Sequence, residues 1–150
     1  MNFDMENFKE IVSSFHERLL AVPVERTSIV LGPDKWSLKE IVGHLIDSAS
    51  NNQQRFVRLQ EERSLSLPGY NQENWIRIQR YNSMNWKDLV SLWRLMNSLL
   101  LHIIEGIPGE CLEHTYQSPD GPVSLEWLVN DYFRHLRDHV KHFEKRYSEL

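Results

Sequence analysis

The sequence predicts an all-α chain folded as a four-helix bundle, and three observations carry that prediction. Apolar residues recur near every 3.6 positions along four long segments, the spacing that gives a helix one buried face. No segment sustains the period-two alternation of a half-buried strand. More than 20 residues, Arg63 to Asn85, separate the second and third long segments. That is far beyond a hairpin loop, and long enough to cross the bundle lengthwise and leave those two helices parallel.

The first helix is predicted over Asp4 to Leu20, with Phe8, Ile11, Val12, Phe15 and Leu19 on one face and Pro23 closing it. The second opens at Trp36-Ser37-Leu38-Lys39-Glu40, where Ser37 and Glu40 have capping-box spacing. It runs to about Glu62, with Ile41, Leu45, Ala49, Phe56 and Leu59 turned inward. The connection that follows contains Leu67-Pro68-Gly69-Tyr70 and a short helix from about Trp75 to Arg80. The third long helix spans about Trp86 to Glu105 and stops before Gly106-Ile107-Pro108-Gly109. Another long connection, irregular and turning at Ser118-Pro119-Asp120-Gly121-Pro122, leaves room for a short strand pair. The fourth long helix starts between Ser124 and Trp127 and continues to about Tyr147. Leu125, Val129, Tyr132, Leu136, Val140, Phe143 and Tyr147 mark its buried face, and Trp127 falls roughly opposite, a candidate contact surface.

A chain of 150 residues reads as one domain, residues 1–150, that buries about two-thirds of its unfolded surface. The net charge of -4 argues against a nucleic-acid partner, which calls for a basic surplus. The longest apolar run, Leu99-Leu100-Leu101-His102-Ile103-Ile104, falls far short of the roughly 18 to 20 residues that span a bilayer, so no membrane is expected. The opening MNFDMENFKE is acidic where a signal peptide is basic, and a soluble cytoplasmic protein is the expectation. A single Cys111 excludes an internal disulfide and a multi-cysteine zinc site. It reads as a small, semi-buried residue rather than a nucleophile.

The chemistry concentrates in DYFRHLRDHVKHF, Asp131 to Phe143, which sets His135, His139 and His142 within eight residues. At about 100° per residue, His139 lies roughly 60° from Leu136, and His135 and His142 roughly 100° and 120° to the same side. All three border the apolar stripe. An i,i+4 histidine pair lets two imidazoles reach one ion, but the same spacing also suits a wet helix edge. On the second helix, His44 lies roughly 100° from the apolar centre, among Glu40, Asp47, Ser48, Asn51 and Arg55. That polar strip would suit one wall of a pocket. With His44 added to the pair, three ligands would leave positions open for water or substrate. Three neutral imidazoles favour zinc, nickel or a similar divalent ion over magnesium or calcium. Since ligation needs neutral rings, metal affinity is expected to fall as pH drops through about 6.5.

These residues carry a resemblance. Trp36-Ser37-Leu38-Lys39-Glu40-Ile41-Val42-Gly43-His44-Leu45-Ile46-Asp47 resembles the W-S-x-x-E-x-x-x-H-L-x-D signature of the DinB-like (DinB/YfiT-like) superfamily of metal-dependent four-helix proteins. His135-Leu136-Arg137-Asp138-His139 is similar to that family's second element, H-x-x-x-H on the last helix. Leu67-Pro68-Gly69-Tyr70, Trp75 and the Ser118-Pro119-Asp120-Gly121 turn also fit, so the resemblance covers most of the chain. It implies an up-down-down-up bundle and one divalent metal ion on His44, His135 and His139. His142 stands where that family is variable, and is expected at the pocket edge or surface. His16, His102 and His114 are expected in core or surface roles.

The resemblance further implies a metal-dependent enzyme acting on a small molecule, of the transferase, isomerase or hydrolase kind. Its nucleophile would be a low-molecular-weight thiol cosubstrate or water, with a pKa lowered by the metal. Asp47, Asn51 and Arg55 are candidate pocket residues, although a solvated helix face explains them as well. Asp131, one turn before His135, would orient an imidazole or serve the helix dipole. Two further readings stay open: a non-catalytic module binding a metal or small ligand, and a structural homodimer with a vestigial site.

Overall fold

The structure, a computed structural model, describes residues 3–150. Its long helices begin where a side chain caps them. The Asp4 carboxylate accepts the Asn7 amide at the start of α1, Met5–Leu20. Ser37 and Glu40 close both halves of the capping box on α2, Leu38–Glu61. Asn85 caps α4, Trp86–Glu105, and Ser124 caps α5, Leu125–Ser148. Such caps satisfy amides that have no partner within the helix, each contributing about 1 kcal/mol. The short helix α3 runs Gln72–Gln79 rather than Trp75 to Arg80, because Asn71 caps it three residues earlier than predicted. It stops at Arg80, whose φ of 52° is left-handed.

Contacts at the helix ends set the directions. The Trp86 indole donates to the Leu19 carbonyl and Lys9 pairs with Glu105, so α1 and α4 are antiparallel. Arg18 bonds Glu144 while Phe8 stacks on Phe133, so α1 and α5 are parallel. His114, beyond the end of α4, meets the Leu59 carbonyl near the end of α2, so α2 and α4 are parallel. Ser48 faces His135 and Trp36 faces Arg146, which makes α2 and α5 antiparallel. The result is the up-down-down-up bundle. The Arg63 to Asn85 connection returns along α2, with Asn82 reaching Ser37 at the helix start.

A small sheet closes the other end: β1 (Ser64–Leu65), β2 (Thr115–Ser118) and β3 (Gly121–Ser124), in the order β1-β2-β3. The β2–β3 hairpin is the expected strand pair, turning at Gly121 with φ of 114°. The parallel strand β1 was not expected, since two residues carry no period to read.

Phe8, Val12, Phe15 and Leu19 of α1 are buried, but Ile11 is only half-buried, as are Val140 and Tyr147 of α5. Phe15 sits edge-on to both Trp93 and Phe143, each with its centroid 5.2 Å away. Helix α2 is buried on a wider arc than its stripe predicts: Val42, His44, Asp47 and Ser48 are hidden along with Ile41 and Leu45. The returning connection covers Asp47 through Gln79 and Tyr81, while His44 and Ser48 face His135 of α5. Among the described residues, no helix is long and apolar enough to cross a membrane.

Candidate metal centre

Helices α2 and α5 cross so that His44 faces His135 and His139. His44 is 1% exposed, and its Nε2 lies 3.4 Å from Nε2 of His135. The His139 ring centroid is 4.6 Å from that of His44 and 4.3 Å from that of His135. One nitrogen from each of the three rings lies within 4.8 Å of the others. Burial pushes His44 down to about 3 and His139 down to about 4, with neighbouring imidazoles adding to the effect. Burial also lowers His135, against a raising influence from Asp131. All three rings are therefore neutral near pH 7, with lone pairs to offer.

Two imidazole nitrogens bound tetrahedrally at 2.0–2.1 Å from a zinc ion stand about 3.3 Å apart. The His44–His135 separation already has that value. His135 Nδ1 lies 3.5 Å from the Ser48 hydroxyl, and with the ring proton on that nitrogen Nε2 is free to face an ion. Nδ1 of His44 is buried without a hydrogen-bond partner. This donor set suits a late first-row divalent ion, and no carboxylate joins it to favour magnesium or calcium.

The surroundings hold His44 in place. The Trp36 indole lies against its ring with centroids 4.9 Å apart, donates to Glu73 at 3.0 Å, and has its carbonyl bound by Arg146. One position before His44, Gly43 allows the Tyr81 ring onto the helix backbone: a Cβ there would lie 2.2 Å from Tyr81 Cδ2. The Tyr81 hydroxyl then reaches Asp47 Oδ1 at 2.7 Å, joined by Gln79 at 2.9 Å. Asp47 is 2% exposed, and its Oδ2 has no partner. Burial pushes its carboxyl up, while the two donors pull the other way.

The remaining expected residues fall elsewhere. Asn51 donates to the Asp47 carbonyl of its own helix, and Glu40 is used by the cap. Asp131 is engaged by Arg134. Arg55 and Asp131 line a cleft of about 560 Å3, with Asp131 one helical turn before His135. His142 is half-buried, its Nδ1 3.4 Å from Nδ1 of His139, at the edge of the group as expected. Trp36, Gln79 and Tyr81 are contacts that the sequence did not assign to the site, whereas Ser48 stood in the polar strip read as a pocket wall. For Gln79 and Tyr81 no signal was present, because their contacts depend on how the connection returns.

Comparison with known proteins agrees with this architecture. A Bacillus cereus (strain AH820) protein named "Putative metal-dependent hydrolase" is 23% identical over 146 residues, covering 89% of this chain and 84% of that protein. YfiT from Bacillus subtilis, described as "a probable metal-dependent hydrolase with an unusual four-helix bundle topology", superposes with a TM-score of 0.83. It is 14% identical, and the match covers 99% of this chain and 89% of that one. The mycothiol-dependent maleylpyruvate isomerase superposes with a TM-score of 0.73 at 12% identity, over 92% of this chain and 60% of that longer one. The sequence profile of the DinB superfamily matches residues 8–143. With a match over nearly its whole length, this chain belongs to the DinB superfamily.

Proposed function

We propose that this protein is a metal-dependent enzyme that holds one divalent cation, zinc or nickel, on His44, His135 and His139 and acts on a small molecule. The observation that carries the proposal is the meeting of three neutral imidazoles from two helices at one point. A bound divalent ion supplies a Lewis acid that lowers the pKa of water or a thiol near neutral pH. Ser48 stands beside Nδ1 of His135, Trp36 lies against the His44 ring, and the Tyr81–Asp47 bond pins the connection beside them. The two reaction classes supported by the relatives are hydrolysis, from the Bacillus cereus protein and YfiT, and thiol-dependent isomerisation, from the mycothiol-dependent isomerase.

The test is metal titration of protein never exposed to a nickel column. About one equivalent per chain should bind, and alanine at His44, His135 or His139 should each weaken binding by well over tenfold on a folded background. Binding that survives loss of both His135 and His139 removes the assignment. A chain that binds the ion yet turns over neither thiol-transfer nor hydrolytic substrates is the non-catalytic module instead.

The pH dependence differs from the sequence expectation. The folded rings resist protons well below 6.5, whereas unfolded histidine titrates there. Between those values the unfolded chain binds more protons, so metal-free stability should fall as pH drops from about 6.5 toward 4. Affinity of the folded protein for the ion should persist through 6.5 and be lost only further down. Parallel denaturant and metal titrations at several pH values would separate the two; affinity collapsing at 6.5 would show rings that are not desolvated.

A further inference from the structure

We propose that the cleft beside the triad takes the carboxylate end of an extended small-molecule substrate, and that Arg55 selects it. The inference rests on the metal-dependent reading above and names the substrate class for that site. The cleft, about 560 Å3, opens between α2, α5, the β2–β3 hairpin and the segment through Tyr70. Arg55 is half-buried on its wall, its guanidinium 4.8 Å from the centre of the Tyr116 ring. Its polar contact is Asn52 Oδ1 at a long 3.5 Å, and among the described residues it enters no ion pair.

A partly desolvated cation without an anion costs stability, so its retention here points to an anion that arrives with the ligand. A planar guanidinium braced on an aromatic face is preorganised for bidentate contact with a carboxylate. Two carboxylates also line the cleft. Asp131 is already paired with Arg134, 2.5 Å from Nη2, and Asp120 is exposed at the hairpin tip. Both would oppose a dianionic phosphate more than a monoanionic carboxylate. Tyr70, a phenol that burial pushes further up from its ordinary value, also lines the cleft.

The cleft and the triad are neighbours along both helices. Asp131 on its wall precedes His135 by one turn. Tyr70, also on its wall, feels the charges of both Asp47 and Arg55. Arg55 follows Ser48 by seven residues, about 10 Å along α2. A substrate with its reacting end at the triad would therefore place a carboxylate roughly 10 Å away, in reach of Arg55.

Thiol probes of defined length test this on the zinc-loaded full chain by titration calorimetry. 8-Mercaptooctanoate should bind about tenfold or more tighter than 8-mercaptooctanol, the advantage of one charged hydrogen-bonded contact. 3-Mercaptopropionate, too short to span, should show no such gain over 3-mercaptopropanol. Arg55→Gln should bring the long acid down to the level of the alcohol while zinc affinity and alcohol binding stay unchanged, and Arg55→Lys should restore part of the difference. Equal binding of acid and alcohol, or an acid preference that persists in Arg55→Gln, overturns the proposal. Failure of the metal reading appears separately, as zinc binding indifferent to loss of His135 and His139. Octanoate on the metal-free chain then tests the cleft alone: binding abolished by Arg55→Gln upholds Arg55 as the anchor, and absent or Arg55-independent binding overturns it.

Discussion

Phe15 and His44 are almost equally hidden from solvent, at 3% and 1% exposure, yet their surroundings differ in kind. Phe15 is enclosed edge-on by Trp93 and Phe143, and the unpartnered polar atom beside it is the indole N–H of Trp93, a donor with no lone pair to offer. The polar atoms nearby are mostly paired within the protein, as with Tyr132, whose hydroxyl donates to Asn97 at 2.7 Å. Between α2 and α5 the interior is equally dense but chemically incomplete. His44 Nδ1 and Asp47 Oδ2 have no partner, and two imidazole nitrogens face each other at 3.4 Å. Burial alone therefore does not distinguish core from site, and neither does a single unpaired N–H; what distinguishes them is the gathering of buried groups with free lone pairs at one place.

The strongest way to break the comparison is to damage the aromatic side. Phe15→Ala removes the ring between Trp93 and Phe143 and should cost about 3 to 5 kcal/mol in urea unfolding. The molecules that remain folded should bind zinc within about threefold of the wild type, since the rings set around Phe15 are those of Trp93 and Phe143. A joint collapse of stability and affinity would mean that the two interiors are one cooperative unit.

Gly43→Ala tests the boundary between them with a smaller effect. The new Cβ meets the Tyr81 ring, so the connection must shift, at about 1 to 3 kcal/mol. Because Tyr81 also holds Asp47 one turn from His44, zinc affinity should fall as well. Replacing Tyr81 by alanine in the same chain removes the clash, so the double variant should cost less than the sum of the two. Strict additivity would show that Gly43 acts through something other than Tyr81.

The two sides were also unequally legible in the sequence. Phe8, Val12, Phe15 and Leu19 announce a helix face by spacing alone, and Ser37 with Glu40 marks the start of α2 to the residue. His135 and His139 were visible as a pair for the same reason, since helical geometry is local. The depth of His44 was not, because it depends on how α5 and the Trp36 ring close over α2, and that of Asp47 depends on a connection that folds back through Gln79 and Tyr81. Nor was the cleft at Arg55, whose platform Tyr116 comes from a strand more than sixty positions later. Contacts between distant segments leave no period to read, and β1 is two residues long for the same lesson.

His142→Ala should have the smallest effect and gives the sharpest test of where the site ends. The ring is half-buried and touches His139 through Nδ1, with Trp36 6.3 Å away by ring centroids, and it lies outside the three residues whose nitrogens converge. Its long 3.4 Å contact gives His139 at most a loosely oriented neighbour, and other outer partners can replace it. Zinc affinity should therefore drop no more than about fivefold, against well over tenfold for His139→Ala, and stability should change by less than about 1 kcal/mol. Competition with a chromophoric chelator, on variants shown to be folded by circular dichroism, measures the ratio. If His142 proves as costly as His139 while His44→Ala is silent, the ion sits on α5 alone. The polar interior between α2 and α5 would then be unsatisfied for some reason other than metal, and its contrast with the aromatic side would lose its functional meaning.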